Sequence, residues 1–268
     1  MRFLLIGSRS YVGQSLTAVK NQNIDWISIS RENLEFLDSS ISLQSINAVV
    51  VIATPAMHSL NLQWDLDVRV ERLLNRLLVP KICISSIRTE DKVNNKNEFY
   101  INALNKFEAF ASKNNWHVLR ISNFLGLPPF NFPNQKRLLP WNLFSDISVN
   151  SKVELRSVPS QITEWVDAED VILAILLILK SELSGKFITR PSFEIKLSNI
   201  VDLISDNFKN ENLPMKVSYG IENRMRKNTI DDLKLSQIGW KTHLNRDILL
   251  EYVSAYQDKF SPRRGHNG

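Results

Sequence analysis

The sequence predicts an α/β protein in which a doubly wound parallel sheet is followed by a smaller C-terminal α/β lobe. Three observations predict it. A short apolar run at the N-terminus leads through a glycine-bounded turn into a helix. Apolar runs rich in β-branched residues then alternate with amphipathic segments up to about residue 125. Beyond that point the composition shifts, and four of the ten prolines fall within residues 127–140. Strand–helix alternation with short connections implies right-handed βαβ units and a parallel sheet covered on both faces.

Phe3 to Ile6 is the first strand, and Gln14 to Lys20 reads as the helix after it. Ile24 to Ile29 is the second strand. Leu34 to Asp38 leads to a short helix around Ser39 to Ile46. Ala48 to Ala53 is a third buried strand. Leu66, Val70, Leu73, Leu74 and Leu77 recur at intervals of three and four, so Leu60 to Leu78 is predicted to be helical. Lys81 to Ser86 is the next strand, and its only cysteine, Cys83, is expected in the sheet interior. Asp91 to Asn97 is polar loop. Glu98 to Lys113 is helix, with Phe107, Phe110 and Ala111 as packing residues, and Trp116 to Ile121 is strand. Later come a strand at Ile162 to Val166, an apolar helix from Asp167 to Lys180 capped near Asp167 or Ala168, and a short strand at Phe187 to Thr189. Ser198 to Asn207 is an amphipathic helix. A helix over Ile230 to Ile238 stops at Gly239-Trp240, and a last helix spans Asn245 to Lys259 before a frayed tail.

The chain has 268 residues, 43% of them hydrophobic and 23% charged, which is enough to bury a full core. The net charge of +5 is scattered along the sequence, so it suits an anionic small ligand and gives no reason to expect nucleic acid. One cysteine permits no internal disulfide and no metal-ligand spacing, which suits a reducing, cytoplasmic setting. The most apolar run, Val171 to Leu179, is too short to span a bilayer. The N-terminus enters a strand at once, and no signal-type segment is expected.

The first strand, turn and helix form the context of a Rossmann-type dinucleotide fingerprint. Gly7, Ser8, Arg9, Ser10, Tyr11, Val12 and Gly13 make the loop. Gly7 suits the tight turn, Gly13 suits close helix–strand packing, and the helix start offers N–H groups to a pyrophosphate. Ser10 stands where the middle glycine would be. After the second strand, Arg31 occupies the place of the ribose-reading group. An acid there favours a free 2′-hydroxyl and a cation favours a 2′-phosphate, so Arg31 with Arg9 predicts a guanidinium clamp for NADP(H). NAD(H) is the alternative.

Taken together and in order, these landmarks resemble the extended short-chain dehydrogenase/reductase family, in its branch of NAD(P)-dependent nucleotide-sugar epimerases, dehydratases and reductases. The resemblance rests on G-S-R-S-Y-V-G at 7–13, L-D at 37–38, I-A-T at 52–54 and I-S-S at 84–86. It continues through N-K-F-E at 105–108, R-I-S-N-F-L-G at 120–126, E-W-V-D-A-E-D at 164–170 and L-S-Q-I-G-W at 235–240. It implies a cofactor region over residues 1–125, with returning segments at about 160–190. A substrate lobe would be built from 126–160 and 190–268. It also implies cofactor contacts at Asp38, Ala53, Thr54 and Asn123, a nucleotide-sugar-like substrate and a homodimer.

The resemblance implies chemistry by a strand-end hydroxyl, a tyrosine that exchanges a proton, and a lysine four residues after the tyrosine. The lysine holds the ribose and lowers the tyrosine pKa. Ser86 matches the hydroxyl, with Ser85 as the alternative. Lys106 matches the lysine, but four residues before it stands Asn102, and the nearest tyrosine is Tyr100. Three readings follow. Tyr100 reaches the site through an irregular helix start; or Asn102 polarises the substrate while another group, such as His58 or a water, supplies the proton; or the chain keeps the cofactor and has lost the chemistry. Trp141, Trp165 and Trp240 read as packing residues or as a sugar platform. Lys136, Arg137, Arg156, Arg224 and Arg226 are candidates to meet a substrate pyrophosphate.

Overall fold

The computed structural model describes residues 1–20, 23–29, 45–52, 71, 74–90, 98–127, 143–144, 152–207, 216–221 and 233–260. Six parallel strands form the main sheet: β1 (Arg2–Ile6), β2 (Asp25–Ile29), β3 (Ala48–Ile52), β4 (Lys81–Ser86), β5 (His117–Ile121) and β9 (Lys186–Ile188). Their order is β2-β1-β3-β4-β5-β9. The order reverses at β1, which pairs with β2 on one side and β3 on the other. The crevice at that reversal, at the carboxyl ends of β1 and β3, is where open α/β sheets take ligands.

Period-two alternation splits the sheet's apolar residues between two cores. Phe3, Leu5, Val50, Ile82, Ile84 and Leu119 face one side, packing with α1 (Tyr11–Ala18), α3 (Ala168–Lys180) and α6 (Arg246–Phe260). Leu4, Ile6, Val49, Val51, Cys83 and Val118 face the other. There they meet Phe107 and Ala111 of α2 (Glu98–Lys113), together with Leu74 and Leu77. The sheet is therefore covered on both faces, as the continuous apolar runs require.

A second sheet is ordered β10-β8-β6, from Phe193–Lys196, Ile162–Asp167 and Asn123–Leu125. β8 runs antiparallel to β10 and parallel to β6. Strand β8 thus belongs here, whereas β9 closes the main sheet. A two-stranded pair joins β7 (Lys152–Glu154) to β11 (Lys216–Ser218). Helices α4 (Leu197–Asn207) and α5 (Lys234–Gln237) complete the described elements. Gly239 follows α5 with φ of 86°, as the expected helix stop requires. Among the described residues no helix is long and apolar enough to cross a membrane.

Candidate functional site

The β1–α1 crossing is built by three residues with different duties. Gly7 has φ of 95°, and a β-carbon there would lie 2.2 Å from the Ile52 carbonyl oxygen at the end of β3. Only glycine fits that turn beside that strand. A β-carbon on Gly13 would lie 2.5 Å from the Gly7 carbonyl oxygen, so the helix can sit on the loop only with glycine there. Ser10 replaces the middle glycine by folding its side chain back. Its hydroxyl donates to the Gly7 carbonyl at 2.7 Å and accepts from the Gly13 N–H at 3.0 Å. That second bond is a helix N-cap, and it starts α1 at Tyr11, three residues before the expected Gln14. The Gly7 and Ser8 N–H groups donate to the Ile29 carbonyl at 3.1 and 3.4 Å, tying the loop to β2.

The first turn of α1 contains no acidic side chain. The N–H groups of Tyr11 and Val12 are too near the helix start to have an intrahelical acceptor. Together with the helix dipole they leave a positive end suited to a phosphate. Arg9 is exposed beside it. The Tyr11 side chain points the other way, into the core. Its hydroxyl is 2.7 Å from the Tyr256 hydroxyl and 3.0 Å from the Gly126 carbonyl and N–H, and burial pushes its pKa up to about 12. Only the main chain of Tyr11 therefore lies at the loop surface. Arg31, Asp38, Ala53, Thr54 and His58 lie outside the described residues, as do Trp141, Lys136, Arg137, Arg224 and Arg226.

At the carboxyl end of β4 the two serines part company. Ser85 is buried and donates to Glu108 at 2.7 Å. Ser86 is half-buried, and its hydroxyl accepts the Arg88 N–H at 3.2 Å, starting a 3-10 turn over Ile87–Glu90. Helix α2 is regular from Glu98, so Tyr100 sits in its first turn and points about 160° away from Asn102. Tyr100 and Asn102 therefore lie on different sides of a regular helix. Tyr100 is half-buried with the Arg88 guanidinium 5.6 Å from its ring centre, whereas Asn102 and Lys106 are both exposed on another side of α2. Four residues after Tyr100 stands Leu104, which is fully buried. In one register α2 has the lysine without the tyrosine, and in the other the tyrosine without the lysine.

At this end runs a chain of buried and half-buried charges that sequence reasoning missed. Arg120 grips Glu108 through two nitrogens, at 2.9 and 2.7 Å. It also reaches Glu90 at 3.3 Å. Arg190 spans Glu90 at 3.2 Å and Glu164 at 3.0 Å. Burial works to raise the Glu108 pKa, but the bonds and charge of Arg120, with Ser85 and Lys186, hold it below its ordinary value. The chain links α2, the 3-10 turn and β5 to β8 of the second sheet. The side chain of Asn123 ties the same sheet together, donating to the Glu164 carbonyl at 2.9 Å. Trp165 and Trp240 are buried, their indole N–H groups bonded to Thr163 and to the Asp170 carbonyl, which makes them packing residues. Arg156 is exposed.

Among the described residues, Asp167, Asp170 and His243 come close enough to share a cation. Their ligand atoms are already engaged with one another. Asp167 caps α3 and Asp170 closes the reciprocal capping box. The D-x-x-D spacing carries that box, but nothing local announces that His243 will join it.

No protein-family model matches the chain, and no curated protein resembles it in sequence. Solved structures do resemble it in fold. UDP-glucose 4-epimerase of Thermotoga maritima, solved with UDP-glucose, has a TM-score of 0.71 at 15% identity, over 97% of this chain and 99% of that one. RMD of Pseudomonas aeruginosa, solved with NADPH, has a TM-score of 0.69 at 15% identity, over 96% and 99%. dTDP-glucose 4,6-dehydratase of Bacillus anthracis, solved with NAD, has a TM-score of 0.66 at 14% identity, over 96% and 97%. This chain has the fold of the nucleotide-sugar epimerases and dehydratases. The similarity runs nearly end to end, so the second sheet and the C-terminal helices share it with the main sheet.

Proposed function

We propose that the chain is an NAD(P)-dependent oxidoreductase or epimerase acting on a nucleotide-linked sugar or a related hydroxylated metabolite, with NADP(H) preferred. The observation that carries this reading is the acid-free first turn of α1, behind a glycine-bounded loop at the point where the strand order reverses. A pyrophosphate suits the loop from Gly7 to Gly13 because Ser10 turns its hydroxyl inward and presents no polar side chain to the ligand. Arg9 and Arg31 would grip the 2′-phosphate, and Asp38, Ala53, Thr54 and Asn123 would lie along the adenosine and nicotinamide. When bound, the nicotinamide supplies or takes up the hydride. In the division proposed, residues 1–125 and about 160–190 hold the cofactor, and 126–160 and 190–268 hold the substrate. A homodimer fits the same reading.

Ser86 would orient the substrate oxygen and Tyr100 would exchange the proton. Tyr100 earns that role over Asn102 because a phenol can act as a general acid and an amide cannot. It also shares the strand-end turn with Ser86 through Arg88. Lys106, on the side of Asn102, is left out of this assignment. A second reading, a dinucleotide-binding protein without catalysis, is favoured by the split of tyrosine and lysine between two registers of α2. Calorimetry with NADPH and NADH tests the first step. NADPH is expected to bind the more tightly, and Arg31→Ala to remove the difference. Turnover with a panel of nucleotide sugars, lost in Tyr100→Phe, decides for the enzyme; tight NADPH binding with no turnover decides for the second reading.

A further inference from the structure

We propose that a closed circuit of hydrogen bonds through Tyr256, on the last helix, positions the phosphate-binding end of α1, so that affinity for a dinucleotide depends on α6. This rests on the reading above, in which a pyrophosphate meets the first turn of α1. Tyr11 is the first residue of α1, so its N–H is one of those without an intrahelical acceptor. Its side chain reaches the main chain of Gly126, just after β6, and the Tyr256 hydroxyl. The two hydroxyls are 2.7 Å apart, and that of Tyr256 donates to the Gly126 carbonyl. With that bond made, the Tyr11 O–H goes to the Tyr256 oxygen, and the Gly126 N–H goes to the Tyr11 oxygen at 3.0 Å. Each hydroxyl then donates once and accepts once, and both polar groups of the Gly126 main chain are satisfied.

The members of the circuit are braced from outside it. Burial pushes the Tyr11 phenol up to about 12 and raises that of Tyr256, so both keep their protons at neutral pH. Phe144 stacks on the Tyr256 ring with centroids 4.2 Å apart, and Phe124 meets the Tyr11 ring edge-on at 5.6 Å. One turn along α1, Ser15 stands on the same face as Tyr11. A β-carbon on Gly126 would lie 2.2 Å from the Ser15 Oγ, so the corner after β6 sits directly on the helix. Gly126 therefore registers α1 at two successive turns, by hydrogen bonds at Tyr11 and by contact at Ser15.

The bonds of Ser10 fix the loop on itself, and those of Gly7 and Ser8 fix it to β2. The tyrosine circuit adds a third attachment, from the helix end to β6 and α6. A tyrosine joins its hydroxyl to its main chain through few torsions, and packing confines those of Tyr11, so the place of the hydroxyl is passed on to the N–H at the loop surface. Gly126 also opens the segment assigned above to the substrate. Tyr256 is therefore a positioning residue that acts through Tyr11 and touches neither ligand.

The test uses the full chain. It reads NADPH binding by calorimetry and, without ligand, the amide NMR signals of Tyr11, Val12 and Gly13. Tyr256→Phe keeps the aromatic ring beside Phe144 and removes only the oxygen. It is expected to weaken NADPH about fivefold or more and to shift those amide signals. Val253→Ala trims a fully buried side chain of the same helix and leaves both hydroxyls in place. It is expected to lower the melting temperature while leaving the affinity and the amide signals as in the wild type. Should Tyr256→Phe fail to fold, Tyr11→Phe opens the circuit from its other side and is expected to give the same two changes. Amide signals that stay in place when a hydroxyl is removed, or that Val253→Ala moves as far, overturn the proposal. So does an unchanged NADPH affinity in a chain that binds NADPH. A wild type that binds neither NADPH nor NADH, while Tyr256→Phe still moves the amides, sinks the functional reading and leaves the positioning of the helix end standing.

Discussion

Helices α1 and α3 pack against each other, yet their N-termini are treated in opposite ways. The start of α3 is saturated with negative charge. Asp167 caps it, Glu169 and Asp170 stand in its first turn, and His243 closes over the acids from the C-terminal segment. The start of α1 has a neutral cap, Ser10, and no acid in its first turn. Both helices carry the same dipole. The protein has therefore met one helix end with its own carboxylates and the other with a neutral hydroxyl. Under the function proposed above, the acid-free end is the one that takes the ligand phosphate. The acid-rich end, with its two buried aspartates and histidine, is a fastening.

The largest effect expected from breaking this contrast comes at the fastening. Asp170 is fully buried, and its two oxygens accept from Thr242 at 2.6 Å, the His243 N–H at 2.8 Å, the His243 ring at 2.7 Å and the Asp167 N–H at 3.4 Å. Asp170→Ala strands those donors together and removes the partner of a charge. It is expected to cost about 3–5 kcal/mol, read from the denaturant midpoint. Ser10→Ala, which removes a neutral cap and the bond to the Gly7 carbonyl, should cost about 1–2 kcal/mol. Equal losses in the two variants would show that the helix ends are not built differently.

A smaller change sharpens the contrast by making α1 resemble α3. Ser10→Asp keeps an acceptor for the Gly13 N–H but loses the donation to the Gly7 carbonyl, so the folded state should lose about 1 kcal/mol. It puts a negative charge where a dinucleotide phosphate would approach. Affinity for NADPH is expected to fall at least about tenfold, or about 1.4 kcal/mol, by calorimetry. Ser10→Gly should cost only a few tenths of a kcal/mol and keep the affinity. A Ser10→Asp variant that binds NADPH as the wild type does would remove the phosphate from this helix end.

Much of the frame was legible because its signals are local and periodic. The run 48–52 is apolar throughout, and Ile82 to Ile84 form an apolar centre between Lys81 and two serines, as strands covered on both faces require. Helix α2 matches its expected span, and Asp167 lies at the cap its position suggested. The short strands β6, β10 and β11 escaped notice because three or four residues hold too few turns of any pattern to register. Tyr11 reads as part of a phosphate loop, but a buried hydroxyl partner 245 positions away turns its side chain into the core. Glu90, Glu108, Arg120 and Arg190 each look like solvated charges, and only the fold brings them together across as many as 100 positions. Arg88 escaped for the same reason: nothing in I-S-S-I-R says that the arginine will face a tyrosine twelve residues on.

The smallest effect expected concerns the pH dependence of the fastening. His243 is 37% exposed, with its Nδ1 2.7 Å from Asp170 and its Nε2 3.1 Å from Asp167. Burial works to lower its pKa, but the charges of Asp167 and Asp170, with the bond to Asp170 and the charge of Glu169, raise it above the ordinary value. A histidine raised on folding adds stability that is complete below its unfolded pKa, about 6.5, and is lost as pH rises through the higher folded value. Burial pushes the Asp167 carboxyl up to about 6, and that acts in the same direction but over the lower interval, from its ordinary value to about 6. The loss above about pH 6.5 therefore belongs to His243. A glutamine at position 243 can still donate to Asp170 but does not titrate. The melting temperature of the wild type should exceed that of His243→Gln most at about pH 6, and the gap should close toward about pH 9. A gap of constant size across that range would mean that His243 fastens α3 as a neutral ring, and that the acids at this helix end are balanced by the dipole and the capping N–H groups without it.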